Sequence, residues 1–595
     1  MRRRPPVGRL LTIALSAAAW LQPAVWLQPP AVLPVPSRGG AEGPPRPYGA
    51  APPPGRAPAA TPPRFVRAQN RALLHGPFPR GGLARGISDP TLIMSPDATV
   101  REQALARIRA TGAGTVRIPV EWRYIVTPDP PAGFQASDPA SPAYDFTAVD
   151  AAVRGTVAAG LRPLLVLTRA PAFAEAPHRW PYAYPGSWAP DPRAFGEFAT
   201  AVARRYDGAY PDPLAPGHAL PRVTLFEAWN EPNLARYLEP QWVAQDGRWR
   251  AFSPLLYREL LDALYAAVKS VEPSDTVIAA GVAPNGEPAG VGRMTPVRFL
   301  RTMLCLEGAP VSRGAPGPPG APGPPGARAP GSRRAGAGGG DAACPDPPRF
   351  DVLSFHPLSF ASPDRPAASA QDVAIADIAK VSDLLAGAQR AGTALPRGHK
   401  PLWVTELNWE SDPPAPHGVP PGLQALWISR ALHRLWVAGV GLAEWQFLDD
   451  PDPGVTLATP TGGSVQVPRP AGLYGAGVLD GQPDPALARP KPFLTGFTLP
   501  FDPLRIDRRR VRVWALLRHP GQVVALQRLT GARRGARVWR TIAALRADAA
   551  AVLNTVLPLR GAAELRLVAP SLQSAPASVP VRSAPAWVPV VRSRL

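Results

Sequence analysis

From residue 82 to 447, short runs of apolar and β-branched residues alternate with longer amphipathic stretches. The runs are GLARGIS (82–88), TVRIPV (115–120), PLLVLT (163–168), RVTLFEAW (222–229), TVIAAG (276–281), FDVLSFH (350–356), PLWVTE (401–406) and GLAEWQF (441–447), each the length of one strand. The stretches between them carry helix signals. Ser95-Pro96, Asp191-Pro192 and Ser253-Pro254 each set a capping side chain before a proline at the first helical position, and Gly112 and Gly160 mark helix ends. After Asp191, residues Phe195, Phe198, Val202 and Tyr206 share one helical face. Eight strand–helix units predict a closed (β/α)8 TIM barrel over 64–500 rather than an open sheet. Beyond Pro500 the helical periodicity stops. RVRVWALL, QVVALQRL, VWRTIAAL, AVLNTVLPL and ELRLVAP follow one another as short β-type runs and predict a small β-sandwich within 501–595.

Composition explains what lies outside this pattern. Of 595 residues, 83 are Pro and 54 are Gly, and the excess is concentrated in two tracts. Residues 28–63 read as a Pro/Ala-rich linker. Residues 307–343 read as an insertion into the barrel, and within it GAPGPPGAPGPPGA has Gly at every third position, the collagen signature. So short a tract, with no second and third chain at hand, reads as a surface loop. At the N-terminus, Arg2-Arg3-Arg4 precedes an apolar run from Leu10 to Leu21, shorter than the roughly 20 residues of a membrane span. Residues 1–27 are therefore expected to be a signal peptide or an N-terminal anchor, with contact to a membrane only if the segment stays uncleaved. Export makes the protein secreted and sets Cys305 and Cys344, which bracket the insertion, in an oxidising compartment. A disulfide between them would close the insertion at its base and contribute on the order of 3–4 kcal/mol.

Charge changes the picture less than its size implies. Lys and Arg number 65 against 44 Asp and Glu, a net +21, yet only Lys269, Lys380, Lys400 and Lys491 are lysines and the arginines are scattered. With no zinc-finger spacing and no basic heptad region, biased residue usage explains the balance and nucleic acid is not expected as a partner. No GxGxxG or GxxxxGK[ST] loop follows the first strand, no HExxH or close His pair occurs, and no GxSxG elbow is present. Nucleotide, metal-dependent and serine-hydrolase chemistries are thereby disfavoured, and no metal or organic cofactor is expected.

In a parallel barrel the chemistry lies at the carboxyl ends of the strands. The fourth run ends Glu227-Ala228-Trp229-Asn230-Glu231-Pro232-Asn233 and the seventh ends Trp403-Val404-Thr405-Glu406-Leu407-Asn408-Trp409. Each delivers a carboxylate to the same rim, which is what glycoside hydrolysis requires. The FEAWNEPN and VTELNW segments resemble those of retaining glycoside hydrolases of the large (β/α)8 clan A, which includes family 5 cellulases and family 39 β-xylosidases. The resemblance covers roughly residues 82–500. It implies Glu231 as general acid/base, Glu406 as nucleophile, Asn230 as a hydrogen-bonding partner of the sugar 2-hydroxyl, and Arg117 as the arginine that keeps the nucleophile ionised. It also implies β-linked polysaccharide or oligosaccharide substrates. With the two carboxylates about 5–5.5 Å apart, an ionised Glu406 would keep Glu231 protonated until the sugar esterifies Glu406.

His356 resembles the clan histidine of the substrate rim; its other reading is a satisfied core histidine. Trp445 is a candidate sugar platform or a core side chain, and Trp122 and Trp409 are candidates for outer subsites. Glu227 is read as a buried barrel carboxylate, while Glu121, Glu410 and Glu444 are set aside. The sequence departs from the clan pattern after His356, where Pro357-Leu358-Ser359-Phe360 contains no Tyr to hydrogen-bond the nucleophile, so either another hydroxyl serves or the nucleophile is held less firmly. Two other readings are a catalytically weak glycan-binding protein on the same barrel and an adhesin built on the collagen-like tract. The C-terminal sandwich either binds carbohydrate or braces the barrel.

Overall fold

The computed structural model describes residues 64–306 and 344–581, except 360, 417, 452–455, 459–463, 467–469, 480 and 571. The N-terminal segment, the linker and the collagen-like insertion lie outside the described residues. Eight parallel strands close into a barrel: β1 (Ala84–Ser88), β2 (Thr115–Glu121), β3 (Arg162–Thr168), β4 (Leu225–Ala228), β5 (Thr276–Val282), β6 (Val352–Phe355), β7 (Leu402–Leu407) and β8 (Val440–Gln446). All eight fall within two residues of the sequence runs at either end, except that β4 starts three residues late. Successive strands are neighbours, and β1 closes the ring by pairing with both β2 and β8.

The two-residue period of a strand sorts the interior into layers. Leu164, Leu225, Ile278, Val352 and Leu442, with Trp403 packed against them, plug the bottom of the barrel. Two residues further along, the same strands turn Glu227, Ser354, Thr405 and Glu444 inward, a polar layer above the apolar plug, joined by Arg117 from β2. The opposite face of each strand packs outward against the helices. In Pro192–Arg205, Phe195, Phe198 and Val202 are fully buried, as is Tyr206 just beyond the helix. Asp191 caps that helix, accepting from the backbone N–H groups of Arg193 and Ala194. The other two predicted caps move. Helix Ala98–Thr111 is capped by Asp97 rather than Ser95, and Ser253 lies inside its helix, donating to the Gln241 side chain at 3.1 Å. In the first case Asp97, closer to the turn, displaces Ser95; in the second the N-cap is Phe252 and no side chain caps the turn.

The sequence runs omit a helix at Arg64–His75 and a hairpin formed by Trp242–Gln245 and Arg248–Ala251 in the loop after β4. Cys305 and Cys344 are joined in a disulfide that closes the chain across the insertion, with the Arg258 guanidinium donating to both sulfurs. No helix among the described residues is long and apolar enough to cross a membrane.

The C-terminal region forms two antiparallel sheets. One holds β9 (Phe501–Arg505), β10 (Arg510–Leu516) and β13 (Val552–Pro558); the other runs β12–β11–β14–β15 through Ala536–Arg546, Val523–Arg533, Ala563–Ala569 and Leu572–Gln573, with β16 (Ala577–Val579) also on β14. Val511, Val513 and Leu553 from one sheet meet Val524, Leu526, Leu565 and Leu567 from the other in a shared core, making a sandwich. The sandwich is braced on the barrel. Asp502 accepts from Arg430 Nε at 2.8 Å and from His433 Nδ1 at 2.7 Å, and Trp514 stacks on His433 at 4.5 Å. Burial works against the Asp502 charge, yet Arg430 and His433 hold it well below the usual carboxylate range.

Candidate active site

The site sits on the polar layer and the loops above it. Its centre is Arg117, which spends each nitrogen on a different residue: Nε on Glu227 at 2.7 Å, Nη1 on Glu406 at 2.8 Å and Nη2 on Asn230 at 2.8 Å. Burial disfavours the guanidinium charge, but Glu227 and Glu406 overcome that penalty and raise it further above the ordinary arginine value. Glu227 is completely buried and saturated, accepting also from Gly281 N at 3.2 Å, Ser354 Oγ at 2.7 Å and Thr405 Oγ1 at 2.9 Å. Burial opposes its charge, and Arg117, His356 and these donors pull its carboxyl below the ordinary value, so it is ionised. A carboxylate held by four donors is a strut.

Two local irregularities aim the other carboxylates. At the end of β4, Trp229 (φ 66°) and Glu231 (φ 39°) both adopt left-handed backbone conformations that side chains rarely take. The turn is pinned from all sides. Glu231 N donates to Gly281 O at 3.1 Å, the Trp229 indole donates to Tyr237 O at 2.7 Å, and Asn233 bridges Ala283 and Met294 through its amide. Asn233 thus explains the last letter of the WNEPN run, a positioning role that the sequence does not announce. On β7, three residues from Val404 to Leu407 face the two-residue step from Ala443 to Trp445. This bulge lets consecutive residues Thr405 and Glu406 both reach the interior, which strict alternation forbids.

His356 joins the two halves. Its Nδ1 lies 3.3 Å from Glu231 Oε1 and 3.7 Å from Glu406 Oε2, and its Nε2 lies 3.0 Å from Thr405 Oγ1. Burial lowers its pKa against the opposing pull of Glu406, which favours the neutral ring. It fits because residue 281 is glycine: a Cβ there would come within 1.8 Å of His356 Nε2. Donor atoms of Glu231, His356 and Glu406 all lie within 4.8 Å of one another. A small cation could bridge such a set, but Arg117 already supplies Glu406 with a fixed positive charge.

The predicted residues Glu231, Glu406, Asn230, Arg117 and His356 therefore meet at one place. Glu406 departs from expectation in one respect. Burial pushes its carboxyl up, His356 and Arg117 pull it down, Glu231 and Glu227 push it up again, and the net direction is upward. Arg117 is hydrogen-bonded to Glu406, but its charge is divided among three acceptors.

Trp445 requires correction. It is 1 % exposed, donates to Ala471 O at 2.9 Å, and lies among Trp409, Phe493 and Phe497. Strand parity is the reason. Glu444 faces the barrel axis, so Trp445 faces the helices and offers no ring face to a sugar. Trp409 and Trp122 are buried likewise, the first donating to Ala361 O and the second stacked on Phe198 at 5.2 Å. The aromatic surface at the rim comes instead from Tyr124 after β2 and from Phe173, Trp180 and Tyr182 after β3, which are 46 %, 43 %, 42 % and 75 % exposed. Their signal in the sequence is position, since residues directly after a strand end lie on the loop face.

Two further groups went unassigned from sequence. Tyr237 feels burial first and then the charges of Arg236, Glu231, Arg169 and Glu406, which raise its pKa overall; it is a hydroxyl within electrostatic reach of both carboxylates. Glu444, set aside from sequence, is completely buried with neither oxygen hydrogen-bonded to a protein group. Burial first, and then Glu227 and Glu406 against the pull of Arg117, raise its carboxyl well above the ordinary value, which favours the neutral acid. It occupies space left by Gly86, where a Cβ would meet its Oε1 at 2.4 Å.

No family model matches the chain, and no curated protein does. Solved structures with a similar course of backbone include a family 39 glycoside hydrolase from Bacteroides cellulosilyticus, 17 % identical over 81 % of this chain and 79 % of that one, with a TM-score of 0.43. A family 39 β-xylosidase from Caulobacter crescentus is 14 % identical over 82 % and 98 %, with a TM-score of 0.41. A family 5 subfamily 18 protein from Streptomyces cattleya, in complex with GlcNAc, is 13 % identical over 70 % and 79 %, with a TM-score of 0.39. At these identities and scores they bear on the backbone and not on the chemistry.

Proposed function

We propose that the chain is a secreted retaining glycoside hydrolase that cleaves β-linked polysaccharides or oligosaccharides by double displacement, with Glu406 as nucleophile and Glu231 as acid/base. The observation that carries this reading is the hydrogen-bond chain Glu227–Thr405–His356–Glu231. Thr405 has one hydroxyl proton. Glu227 is ionised and 2.9 Å away, so the proton points there; without it two oxygens would face each other lone pair to lone pair. Thr405 Oγ1 is then the acceptor for His356 Nε2–H, and in a neutral imidazole Nδ1 must accept. The group facing Nδ1 at 3.3 Å is Glu231, which supplies that hydrogen bond only as a carboxylic acid. The chain therefore favours a protonated Glu231 beside Glu406, the state a general acid needs.

In the first step Glu231 protonates the glycosidic oxygen while Glu406 attacks the anomeric carbon, forming a glycosyl ester and releasing the aglycone. In the second, the Glu231 carboxylate takes a proton from water as that water attacks the anomeric carbon, and Glu406 leaves as a carboxylate. The Nδ1 lone pair beside it disfavours the anion and so strengthens the base. A separation of no more than 4.8 Å between carboxylate oxygens suits direct attack better than insertion of a water. Asn230, held by Arg117, is offered to the sugar 2-hydroxyl. Secretion rests on the N-terminal sequence and on the Cys305–Cys344 disulfide.

A second reading, a catalytically weak glycan-binding protein, draws on the upward direction at Glu406, since a protonated nucleophile does not attack. Turnover separates the two. Wild type and Glu406→Gln are compared on aryl β-glycosides and soluble β-glucans and xylans. Hydrolysis by the wild type with loss of several orders of magnitude in the variant supports the hydrolase; no turnover by the wild type on any substrate, with retained glycan affinity, supports the binder.

A further inference from the structure

The net charge of +21 is not spread over the molecule. Residues 64–306 and 344–500, which make the barrel, hold 37 Lys and Arg against 37 Asp and Glu, and they contain all four lysines. Residues 501–581 hold fourteen Arg and no Lys against four Asp and Glu, a net +10. The rest of the +21 lies outside the described residues; between the two described regions, biased residue usage would tilt both alike, so the excess there belongs to the sandwich. Within it the β11–β12 hairpin, residues 523–546, carries six Arg and no acidic residue. Arg533, Arg534, Arg537 and Arg540 at its tip and on its edge strand are all exposed.

The outer face of the same sheet is ordered as well as basic. Thr541 on β12, Gln527 on β11, Arg566 on β14 and Gln573 on β15 form a hydrogen-bonded row across four strands. Gln527 donates to Thr541 at 3.3 Å, and Arg566 donates to Gln527 and to Gln573, both at 3.0 Å. At a strand spacing of about 4.8 Å the row is about 14 Å long. Arg566 also lies over the Trp539 ring at 4.3 Å. Its side-chain partners are neutral amides, so no carboxylate in the row cancels its charge; the acid beside it, Glu564, is paired with Arg537 at 2.5 Å.

We propose that this face of the C-terminal sandwich, with the arginines of the β11–β12 hairpin, binds an anionic polysaccharide. The arginines supply attraction to carboxylate or sulfate groups, and the amide and hydroxyl row supplies partners for sugar hydroxyls on a flat surface with an aromatic side chain beside it. A nucleic acid would use the charge but leave the row idle. The site is remote in sequence from Glu231 and Glu406 and does not depend on catalysis.

Binding of the full chain to alginate (carboxylate), dextran sulfate, neutral dextran and a DNA duplex, measured in low salt by affinity electrophoresis, tests this. The expected result is binding to alginate, dextran sulfate or both, none to neutral dextran, and weaker binding to the duplex at matched charge. The combined Arg533→Gln, Arg534→Gln, Arg537→Gln and Arg540→Gln variant should lose at least about tenfold in affinity, since several ion contacts are removed together. Arg540→Glu alone, on an exposed strand position, should weaken binding in the same direction and guards against misfolding of the fourfold variant. Glu406→Gln should bind like the wild type, which keeps this outcome separate from the catalytic reading. Absence of binding to both acidic polysaccharides, unchanged affinity in both arginine variants, or a duplex bound as tightly as alginate would each overturn the proposal.

Discussion

The hydroxyl of Thr405 lies 3.0 Å from Nε2 of His356, and its one proton is directed at Glu227 on the other side. That contact sets the imidazole tautomer, and through it the protonation of Glu231. Thr405→Val keeps the shape and removes the acceptor. The His356 proton is then free to move to Nδ1, where it donates to Glu231 and favours the carboxylate. A general acid works only while protonated, so activity is lost as pH rises through its pKa, and a lowered pKa moves that loss to lower pH. The expected result is an alkaline limb of kcat/KM shifted to lower pH, with a fall of about tenfold to a hundredfold near neutrality. A merely structural role for Thr405 would lower activity without moving the limb.

Arg117→Met leaves Glu227 buried and ionised without its cation. Breaking a buried pair by removing one partner costs about 3–5 kcal/mol. Denaturant unfolding at pH 7 should show a loss of that order. The same variant should recover part of it as pH falls toward the carboxylate range, because protonation then relieves the unpaired charge. Wild type should behave oppositely on this account. Its Glu227 carboxyl is depressed, so the ion pair's stabilisation is present above the ordinary glutamate value and lost as pH falls through the folded one.

Glu444 gives a pH signature of the other sign. Its carboxyl is raised in the folded protein, so the folded state holds a proton that the unfolded chain releases above the ordinary glutamate value of 4.5. Wild-type stability should therefore decline as pH rises from that value, and Glu444→Gln, nearly the same shape and always neutral, should remove that part of the decline. Unfolding midpoints measured at pH 4 and pH 7 check this. The variant should gain on wild type between the two, and parallel curves would show that Glu444 titrates alike in both states.

The barrel was legible in the sequence because each strand is a short apolar run between helix signals, and the meeting of Glu231 and Glu406 was legible because they end two of those runs. The failures share a cause. Trp445 and Glu444 are adjacent on β8, and only the inward or outward parity of the strand says which meets the cavity; a run that is apolar on both faces hides that parity. The bulge on β7 is invisible for the same reason, yet it alone lets Thr405 reach Glu227 while Glu406 reaches Arg117. Gly281 and Gly86 read as ordinary strand residues until the side chains occupying their missing Cβ positions, His356 and Glu444, are in view.

The parity assignment makes two tryptophans separable by experiment. Trp445 is 1 % exposed and hydrogen-bonded to Ala471, whereas Trp180 is 42 % exposed on the loop after β3 and packs edge-on to Tyr182. Trp445→Ala opens a cavity among Trp409, Phe493 and Phe497 and should cost about 3–5 kcal/mol of stability, as large aromatic deletions in cores do. Trp180→Ala removes a side chain that little else rests on, so its unfolding midpoint should stay within about 0.5 kcal/mol of wild type. If the rim aromatics hold the glycan, Trp180→Ala should instead raise KM on an oligosaccharide while leaving kcat nearly unchanged, because binding there is shared by ground and transition states. Unfolding and steady-state kinetics on the two variants decide it. A stable Trp445→Ala with raised KM would restore Trp445 as the platform and require a rearrangement of β8 that brings its ring to the cavity.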